Sequence, residues 1–490
     1  MINIGTSIVK WLGKQCPAEL LGQAQTLNRI VFDSRDVEDG DALIVLPSVA
    51  GDEAAYIEQA LEKRAVLVIG EIEYSAHNYC RVSDVMTFAA SVLNHELGSP
   101  SQHMDVIGVT GTNGKSSIVF YVAQLLTELR HSCAVMGTLG YGFWNDLKPT
   151  GMTTLPLPRL HQALADVKKD CKAIAMEVSS HGLHQKRLSG VAFNGAIFTN
   201  LSRDHLDYHG TMDAYFDAKR LLFKEPGLQW AVINQDDDYG KKLLSEPVSY
   251  SSYSYGTDEK SDLHFCITRT TDTGQQLALR FHGQEQEVFL PLLGEFNAYN
   301  AAASVLSVIA MGFDFSSACK AVTALRPVSG RMELIDSNDS QPNVLVDYAH
   351  TPDAVEQVLK SARKHCKGNL VCLVGCGGDR DRGKRPLMAQ AAINFADSVL
   401  LTSDNPRSES PEQILADMVQ GLKKEVPSEL DRKQAIQSAI LNAKSDDLIV
   451  IVGKGHEDYQ EIHGVKYPFS DQETAREALQ IRSQLRQENT

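Results

Sequence analysis

The residue types most suited to chemistry lie in Asp105-Val-Ile-Gly-Val-Thr-Gly-Thr-Asn-Gly-Lys-Ser116, an apolar run that enters a glycine-rich turn. Gly111 and Gly114 would let backbone N–H groups approach phosphate oxygens, and Lys115 would place a positive charge on the terminal phosphates. The Ser116 hydroxyl suits Mg²⁺, and a helix opening here adds the partial positive charge of its N-terminus. The spacing departs from the strict phosphate-loop pattern, because Val109 stands where the first glycine belongs and Gly108 is one residue early. A strand before the turn and the amphipathic run Ser117–Leu129 after it favour nucleotide triphosphate binding over a mere glycine-rich turn.

Further polar groups fall just after apolar runs. Glu177 ends Ala173–Val178 and precedes Ser179-Ser-His-Gly182. One carboxylate beside a phosphate loop is a natural Mg²⁺ ligand, while a solvated acid at a strand end is the bland alternative. His205 and His209 stand four apart, but neither an HExxH pattern nor a third ligand accompanies them. His205 therefore reads as a Mg²⁺ or phosphate neighbour, and His209 fits structural hydrogen bonding equally well. Gly375-Cys-Gly-Gly-Asp-Arg380 evokes a dinucleotide fingerprint, except that Arg380 replaces its last glycine. Arg380, Arg382, Lys384 and Arg385 are better read as an anion-binding cluster. In Asp404-Asn405-Pro406-Arg407 the proline stiffens the loop, so the Arg407 guanidinium could grip a carboxylate with two parallel bonds.

The elements that must position these groups follow from periodicity. Arg29–Phe32, Ala42–Leu46 and Ala65–Ile69 predict short strands, with a helix over Ala54–Lys63 and a linker at Ser99-Pro-Ser101. From Asp105, strands at Ala134–Met136, Ala173–Val178, Ala196–Thr199 and Trp230–Asn234 alternate with helices. Val248–Leu292 alternates apolar and polar residues and predicts an inserted antiparallel patch. Leu325-Arg-Pro-Val-Ser-Gly330 reads as a hinge, with Pro327 and Gly330 as its joint. Beyond it, Val344–Val346, Leu370–Val374, Val399–Thr402 and Leu448–Val452 are continuous apolar runs. Helical segments near Asp353–Lys364, Pro386–Phe395 and Pro411–Lys423 separate them, as in a parallel sheet covered on both faces. Ligands of such sheets bind beyond the carboxyl ends of the strands.

The expected fold is α/β in three domains. These are a smaller N-terminal α/β domain over 1–100, a central P-loop-type parallel-sheet ATPase domain with the antiparallel patch over 101–327, and a C-terminal Rossmann-like domain over 328–490. At 490 residues the chain can bury several cores, and 43% hydrophobic with 22% charged residues suits a globular protein. A net charge of −15 without a basic stripe argues against nucleic acid, so anionic substrates must be met by local Lys and Arg clusters. Nine scattered cysteines without a CxxC pair suit free thiols in a reducing cytosol. The start MINIGTSIVKWLGKQ lacks a signal-peptide core and no long apolar run follows, so a cytoplasmic, non-membrane protein is expected.

Ten features occur in order: GVTGTNGKSS, AMEVSSHGL, FTNLSRDHLDYHG, the Lys219 helix, GEFNAYNAAA, SGRME, VDYAHTPD, GGDRDRGKRP, DNPR and GKGHEDYQ. In this set the chain resembles the Mur ligases of peptidoglycan synthesis, and within them the branch that adds meso-diaminopimelate. The resemblance implies ATP-dependent amide formation on a UDP-N-acetylmuramoyl dipeptide through an acyl phosphate, with Mg²⁺, by a monomer. It assigns catalytic roles to Lys115, Glu177, His205 and Lys219. Gly111, Thr112, Asn113, Gly114, Lys115, Ser116 and Ser117 would hold ATP with Asn297, Asn300 and Arg331, and Asp347 would lie near the ribose. Phe32, Ser34, Thr153, Thr154, Ser179, Gln185 and Arg187 would hold the UDP substrate. Val49-Ala-Gly51 lacks the polar residues that other members show there and is left out. Arg380, Asp404, Asn405, Pro406, Arg407, Gly453 and Glu457 would hold diaminopimelate, whose extra carboxylate relative to lysine requires a cation such as an unpaired Arg407. Ser116, Glu177, His205 and a carbamylated Lys219 would serve the metal.

The Lys219 assignment also has a basis in spacing. Met212, Tyr215, Phe216, Lys219, Leu222 and Phe223 form an apolar stripe where a bare ammonium is disfavoured, unless the stem packs while the ammonium reaches water. A lysine-adding or folylpolyglutamate-forming sister ligase, or another ATPase or kinase, are the alternatives.

Overall fold

The computed structural model describes residues 2–3, 27–48, 51–335, 341–422 and 424–488. Most of the amino-terminal stretch read for an export signal, and Val49 and Ala50, lie outside the described residues. The chain divides into two compact units, 1–115 with 130–252 and 116–129 with 253–490.

The first unit carries two sheets. In one, Ile2–Asn3, Arg29–Val31, Ala42–Ile44, Leu67–Gly70 and Tyr79–Arg81 lie in sequence order, all parallel except the first pair. The expected strands are present, the helix runs Glu53–Glu62, and a second helix, Val85–Leu97, packs its apolar face on this core. The linker expected at Ser99–Ser101 is instead the start of a 3₁₀ turn, Pro100–His103, with Pro100 and Ser101 buried. The Ser101 hydroxyl oxygen accepts from the Ala192 N–H at 3.1 Å, which explains its burial.

The other sheet places Trp230–Asn234, Gly195–Phe198, Asp105–Thr110, Ala173–Glu177 and Cys133–Gly137 side by side in parallel. An antiparallel extension, Gly140–Phe143 and Asp146–Lys148, follows on the Cys133–Gly137 edge. Asp105–Thr110 is the middle strand, buried from Val106 onward, so its carboxyl end opens between two neighbours. Gly108 is required there by packing, since a Cβ would stand 2.9 Å from the Phe193 ring.

In the second unit, Leu263–Thr270, Gln275–Phe281 and Gln284–Leu290 form the expected antiparallel patch. Its first strand departs from that expectation, because Ser251–Gly256 pairs with Leu263–Thr270 in parallel across Tyr255↔Leu263 and Gly256↔His264. The six-stranded sheet is ordered Glu333–Ile335, Asn343–Asp347, Leu448–Val452, Leu370–Val374, Ser398–Thr402 and Ser428–Glu429, all parallel except the first pair. Alternate residues of these strands feed two apolar clusters. Leu345, Cys372 and Val450 pack with the Pro352–Arg363, Lys384–Phe395 and Pro411–Val419 helices on one face. Val344, Leu373 and Ile449 pack with Arg432–Asn442 and Asp471–Glu488 on the other. The sheet is thus covered on both sides, and polar strand-end loops gather beyond its carboxyl edge. No helix among the described residues is long and apolar enough to cross a membrane.

Candidate active site

The phosphate-type loop is shaped by its neighbours as well as by its glycines. Thr112 N–H donates to the Asn200 carbonyl at 2.8 Å and Asn113 N–H to Asn200 Oδ1 at 3.0 Å, while the Thr199 hydroxyl donates to the Asn113 carbonyl at 2.6 Å. Gly111 has φ +151°, and a Cβ there would lie 1.9 Å from Thr199 Oγ1, so only glycine fits. Lys115 opens the helix Lys115–Glu128, and its Nζ donates to the carbonyls of Gly111 at 2.9 Å and Thr112 at 2.7 Å.

Lys219 joins the same loop. Its helix, Met212–Arg220, begins at Thr211, whose hydroxyl oxygen accepts from Ala214 N–H at 3.1 Å. The Lys219 side chain is 1% exposed, with Nζ donating to the Gly111 carbonyl at 2.7 Å and lying 4.4 Å from the Tyr215 ring centre. The ammonium does not reach water. Burial, then the neighbouring Lys115 charge, pushes the Lys219 amine well below the usual lysine range.

Glu177 lies directly across from Val109 in the parallel register and is 2% exposed. Its Oε1 accepts from Thr138 N–H at 2.9 Å and its Oε2 from the Thr138 hydroxyl at 3.3 Å. Thr138 Oγ1 is in turn 3.0 Å from Thr153 Oγ1. The Thr154 hydroxyl donates to the Glu177 carbonyl at 3.2 Å and lies 2.9 Å from the Ser179 hydroxyl. Arg187 donates to the Thr154 carbonyl at 3.0 Å and to Gln185 Oε1 at 2.9 Å. Thr153, Thr154, Ser179, Gln185 and Arg187 are thereby brought together around Glu177. Ser34 is placed apart, its hydroxyl donating to Gln59 Oε1 at 2.6 Å, and Phe32 is half-buried beside the first sheet's core.

His205 precedes the short helix Leu206–His209 with φ +51°, and its ring meets that of His181 at 4.9 Å between centroids. His209 has a structural bond, Nε2 to Ser180 Oγ at 3.0 Å. Burial and then the surrounding histidines push His209 down to about 4. Among the described residues no group of three or more His, Cys, Asp or Glu forms a metal-binding cluster. The single buried carboxylate of Glu177 beside a phosphate loop suits Mg²⁺, which completes its shell with phosphate oxygens and water.

In the second unit Asn297 and Asn300 lie on the buried face of the helix Glu295–Ala310. Asn297 Oδ1 accepts from Tyr121 at 3.1 Å and from Asn300 at 3.2 Å. Asp347 uses both oxygens on backbone, accepting from Met332 N–H and Ala349 N–H at 2.8 Å each, so it braces the segment that carries Arg331. The Arg331 guanidinium lies 4.8 Å over the Tyr348 ring. At the expected hinge, Gly330 has φ +67°, and a Cβ would stand 2.1 Å from His456 N, so glycine is obligatory.

Of the expected anion cluster the structure withdraws Arg385 and pairs Arg382, while Lys384 stays exposed. Arg385 is 1% exposed and held by Glu409 and Asp417 at 2.7 Å each, and Arg382 pairs with Glu409 at 2.8 Å. These carboxylates lie 24 and 32 residues further along, beyond any local pattern. Arg380 remains exposed. Arg407 has φ +51°, donates to the Gly378 carbonyl at 2.7 Å and stands 3.4 Å from Glu461 Oε2. The expectation of an unpaired Arg407 is therefore corrected, because Glu461, on the hairpin formed by Tyr459–Ile462 and Val465–Pro468, supplies a counter-charge. Asp404 Oδ1 accepts from Asn405 N–H at 2.6 Å, and a Cβ at Gly453 would lie 2.5 Å from Asp404 Oδ2. Asn405 Nδ2 donates to Glu457 Oε2 at 2.8 Å, and buried Lys454 completes the group. Sequence reasoning missed Thr138, Asn200, Lys454 and Glu461. Asn200 and Lys454 sit inside quoted motifs, but nothing in their spacing marked a role.

Comparison with known proteins accords with this arrangement. Residues 109–308 match the Mur ligase middle domain, and residues 330–455 match the Mur ligase, glutamate ligase domain. A UDP-N-acetylmuramoyl-L-alanyl-D-glutamate–2,6-diaminopimelate ligase of Coxiella burnetii is 43% identical, covering 91% of this chain and 94% of that protein. One from Pseudomonas aeruginosa is 44% identical, covering 92% and 95%. A solved structure of a ligase of the same name superposes with a TM-score of 0.71 at 39% identity, covering 93% of this chain and 95% of the other. The loop around Lys115, the Glu177 and Lys219 groups, and the segment from Arg331 to Lys454 all fall inside matched domains, and by this extent of identity the chain belongs to the Mur ligase family.

Proposed function

We propose that the chain is an ATP-dependent ligase that joins meso-2,6-diaminopimelate to UDP-N-acetylmuramoyl-L-alanyl-D-glutamate in peptidoglycan synthesis. This reading is carried by a braced phosphate loop in the first unit and, in the second unit taken by itself, a strand-end group, Arg407, Asn405 and Glu457, that offers opposite charges to a zwitterion. The names and extent of the relatives support the same substrates. We divide the chain for this purpose into 1–100 for the UDP moiety, 101–327 for ATP and 328–490 for the amino acid, with closure about Pro327 and Gly330.

A carboxylate is a poor electrophile, so ATP first phosphorylates the D-glutamate carboxyl group, giving an acyl phosphate and ADP. The diaminopimelate amine then attacks the acyl carbon, and the tetrahedral intermediate expels phosphate as the amide forms and the amine loses its proton. Lys115, with Gly111, Thr112, Asn113, Gly114, Ser116 and Ser117, would hold the polyphosphate and offset its developing charge. Asn297, Asn300 and Arg331 would contact the nucleotide, and Asp347 would act by bracing Arg331. Thr153, Thr154, Ser179, Gln185 and Arg187 would orient the dipeptide, with Phe32 and Ser34 toward uridine. Ser116, Glu177, His205 and Lys219 as its carbamate would hold Mg²⁺, which supplies Lewis-acid stabilisation of phosphate charge.

The test is phosphate release by purified protein with ATP, Mg²⁺, the UDP-dipeptide and a panel of amino acids. Release that requires both the dipeptide and diaminopimelate is expected. Release with neither marks a simple ATPase, and equal use of lysine or glutamate marks a sister ligase.

A further inference from the structure

Beside the amino-acid loop lies a fully buried cation that the reaction scheme leaves unused. The Lys454 side chain is 0% exposed, and its Nζ stands 3.0 Å from Glu457 Oε2 and 3.0 Å from Asn405 Oδ1. Asn405 Oδ1 also accepts from Glu461 N–H at 2.9 Å. Two donors on one oxygen fix the amide orientation, since a flipped amide would aim its NH₂ at an ammonium and an N–H. The Asn405 Nδ2 so oriented donates to Glu457 Oε2 at 2.8 Å. Lys454 and Asn405 therefore both anchor Glu457 through Oε2, leaving Oε1 as the oxygen for an incoming ammonium.

The charges make sense only with the lysine present. Without it, Glu457 would lose its counter-ion in a largely buried site, and Asn405 would lose one of the two donors that set its orientation. Local packing is preserved by other means, because the Arg432–Asp471 pair separately ties down the Ser403 and Val452 carbonyls.

We propose that Lys454 is a positioning residue for amino-acid selection, holding Asn405 and Glu457 so that Glu457 Oε1 receives the distal ammonium of the amino acid while Arg407 faces its distal carboxylate. The proposal rests on the diaminopimelate reading above. It acts on one substrate only, which separates it from a general structural role.

The test is steady-state kinetics of Lys454→Met, Asn405→Ala and the double variant, varying each substrate in turn. Lys454→Met is expected to raise KM for diaminopimelate about tenfold or more, with KM for ATP and for the UDP-dipeptide within about twofold. The double variant should lose less than the sum of the two single losses, because the lysine acts partly through that amide and partly on Glu457 itself. Should Lys454→Met not fold, Lys454→Gln, which keeps a donor without the charge, is read in the same way, and misfolding of both overturns positioning in favour of structure. An unchanged KM for diaminopimelate, equal rises in all three KM values, or fully additive losses also overturn it. A wild-type protein that ligates a different amino acid and not diaminopimelate removes the underlying reading itself, an outcome distinct from failure of the variant alone.

Discussion

Lys115 and Lys219 converge on one carbonyl oxygen, that of Gly111, at 2.9 and 2.7 Å. Burial, and then the like charge of Lys115 on the same acceptor, pushes the Lys219 amine well below the usual lysine range. A neutral buried amine can add to carbon dioxide, forming an N–C bond and releasing a proton, which turns a cation into a carboxylate-like ligand. Lys219→Met should keep the fold, since an apolar side chain replaces a disfavoured charge, yet lose activity by about a hundredfold or more. A short carboxylic acid should restore part of it and bicarbonate none. A ¹³C-bicarbonate NMR spectrum of the wild-type protein without a carbamate resonance that the variant lacks, together with full activity in carbonate-free buffer, would refute the carbamate.

Arg407 is held between the Gly378 carbonyl and Glu461, so on the function proposed above selection for a distal carboxylate would work by exchange of counter-ions. A charge-assisted bond is worth about 1.5–3 kcal/mol, or roughly ten- to a hundredfold in preference. Arg407→Lys, which keeps charge but not the planar fork, should lower the ratio of kcat/KM for diaminopimelate over lysine by at least about tenfold. Competition assays with both amino acids present would show it, and an unchanged ratio would exclude Arg407 from selection.

Arg432 and Asp471 are both 0% exposed and joined at 2.7 Å. Removing one partner strands a buried charge, so Arg432→Met should cost about 3–5 kcal/mol. The paired replacement Arg432→Met with Asp471→Leu should recover part of that loss, since the Ser403 and Val452 carbonyls still lack their donor. Urea midpoints of the two variants give the comparison, and equal destabilisation by both would contradict an electrostatic origin.

Burial, and then the nearby Arg331 charge, pushes His456 down to about 4. Its folded pKa therefore lies below the unfolded value near 6.5, and between the two the unfolded chain binds more protons. The stabilisation is fully present above about pH 6.5 and is lost as pH falls towards about 4, with a slope of at most ~1.4 kcal/mol per pH unit. His209, also pushed down to about 4, acts in the same window. His456→Gln should flatten the dependence of the denaturant midpoint on pH only partly, and an unaltered slope would place the titration elsewhere.

Local pattern was enough to read the strand–loop–helix around Lys115, the Trp230–Asn234, Leu370–Val374 and Leu448–Val452 strands, and the burial of Lys219. Each follows from side-chain periodicity, which reports which face of an element meets a core. The same logic failed at Ser99–Ser101, where turn-forming residues are buried by a contact with Ala192.

The sequence by itself determined which residue types stand at the strand ends and that the sheet beyond Gly330 is mainly parallel and covered on both faces. Tertiary structure alone decided which charges are paired. Lys219 reaches the Gly111 carbonyl across 108 residues, Arg385 is withdrawn from the surface by Glu409 and Asp417, and Arg407 is matched by Glu461. The reason is physical: like charges are interchangeable in a sequence, and only the distances and burial set by the fold choose among them.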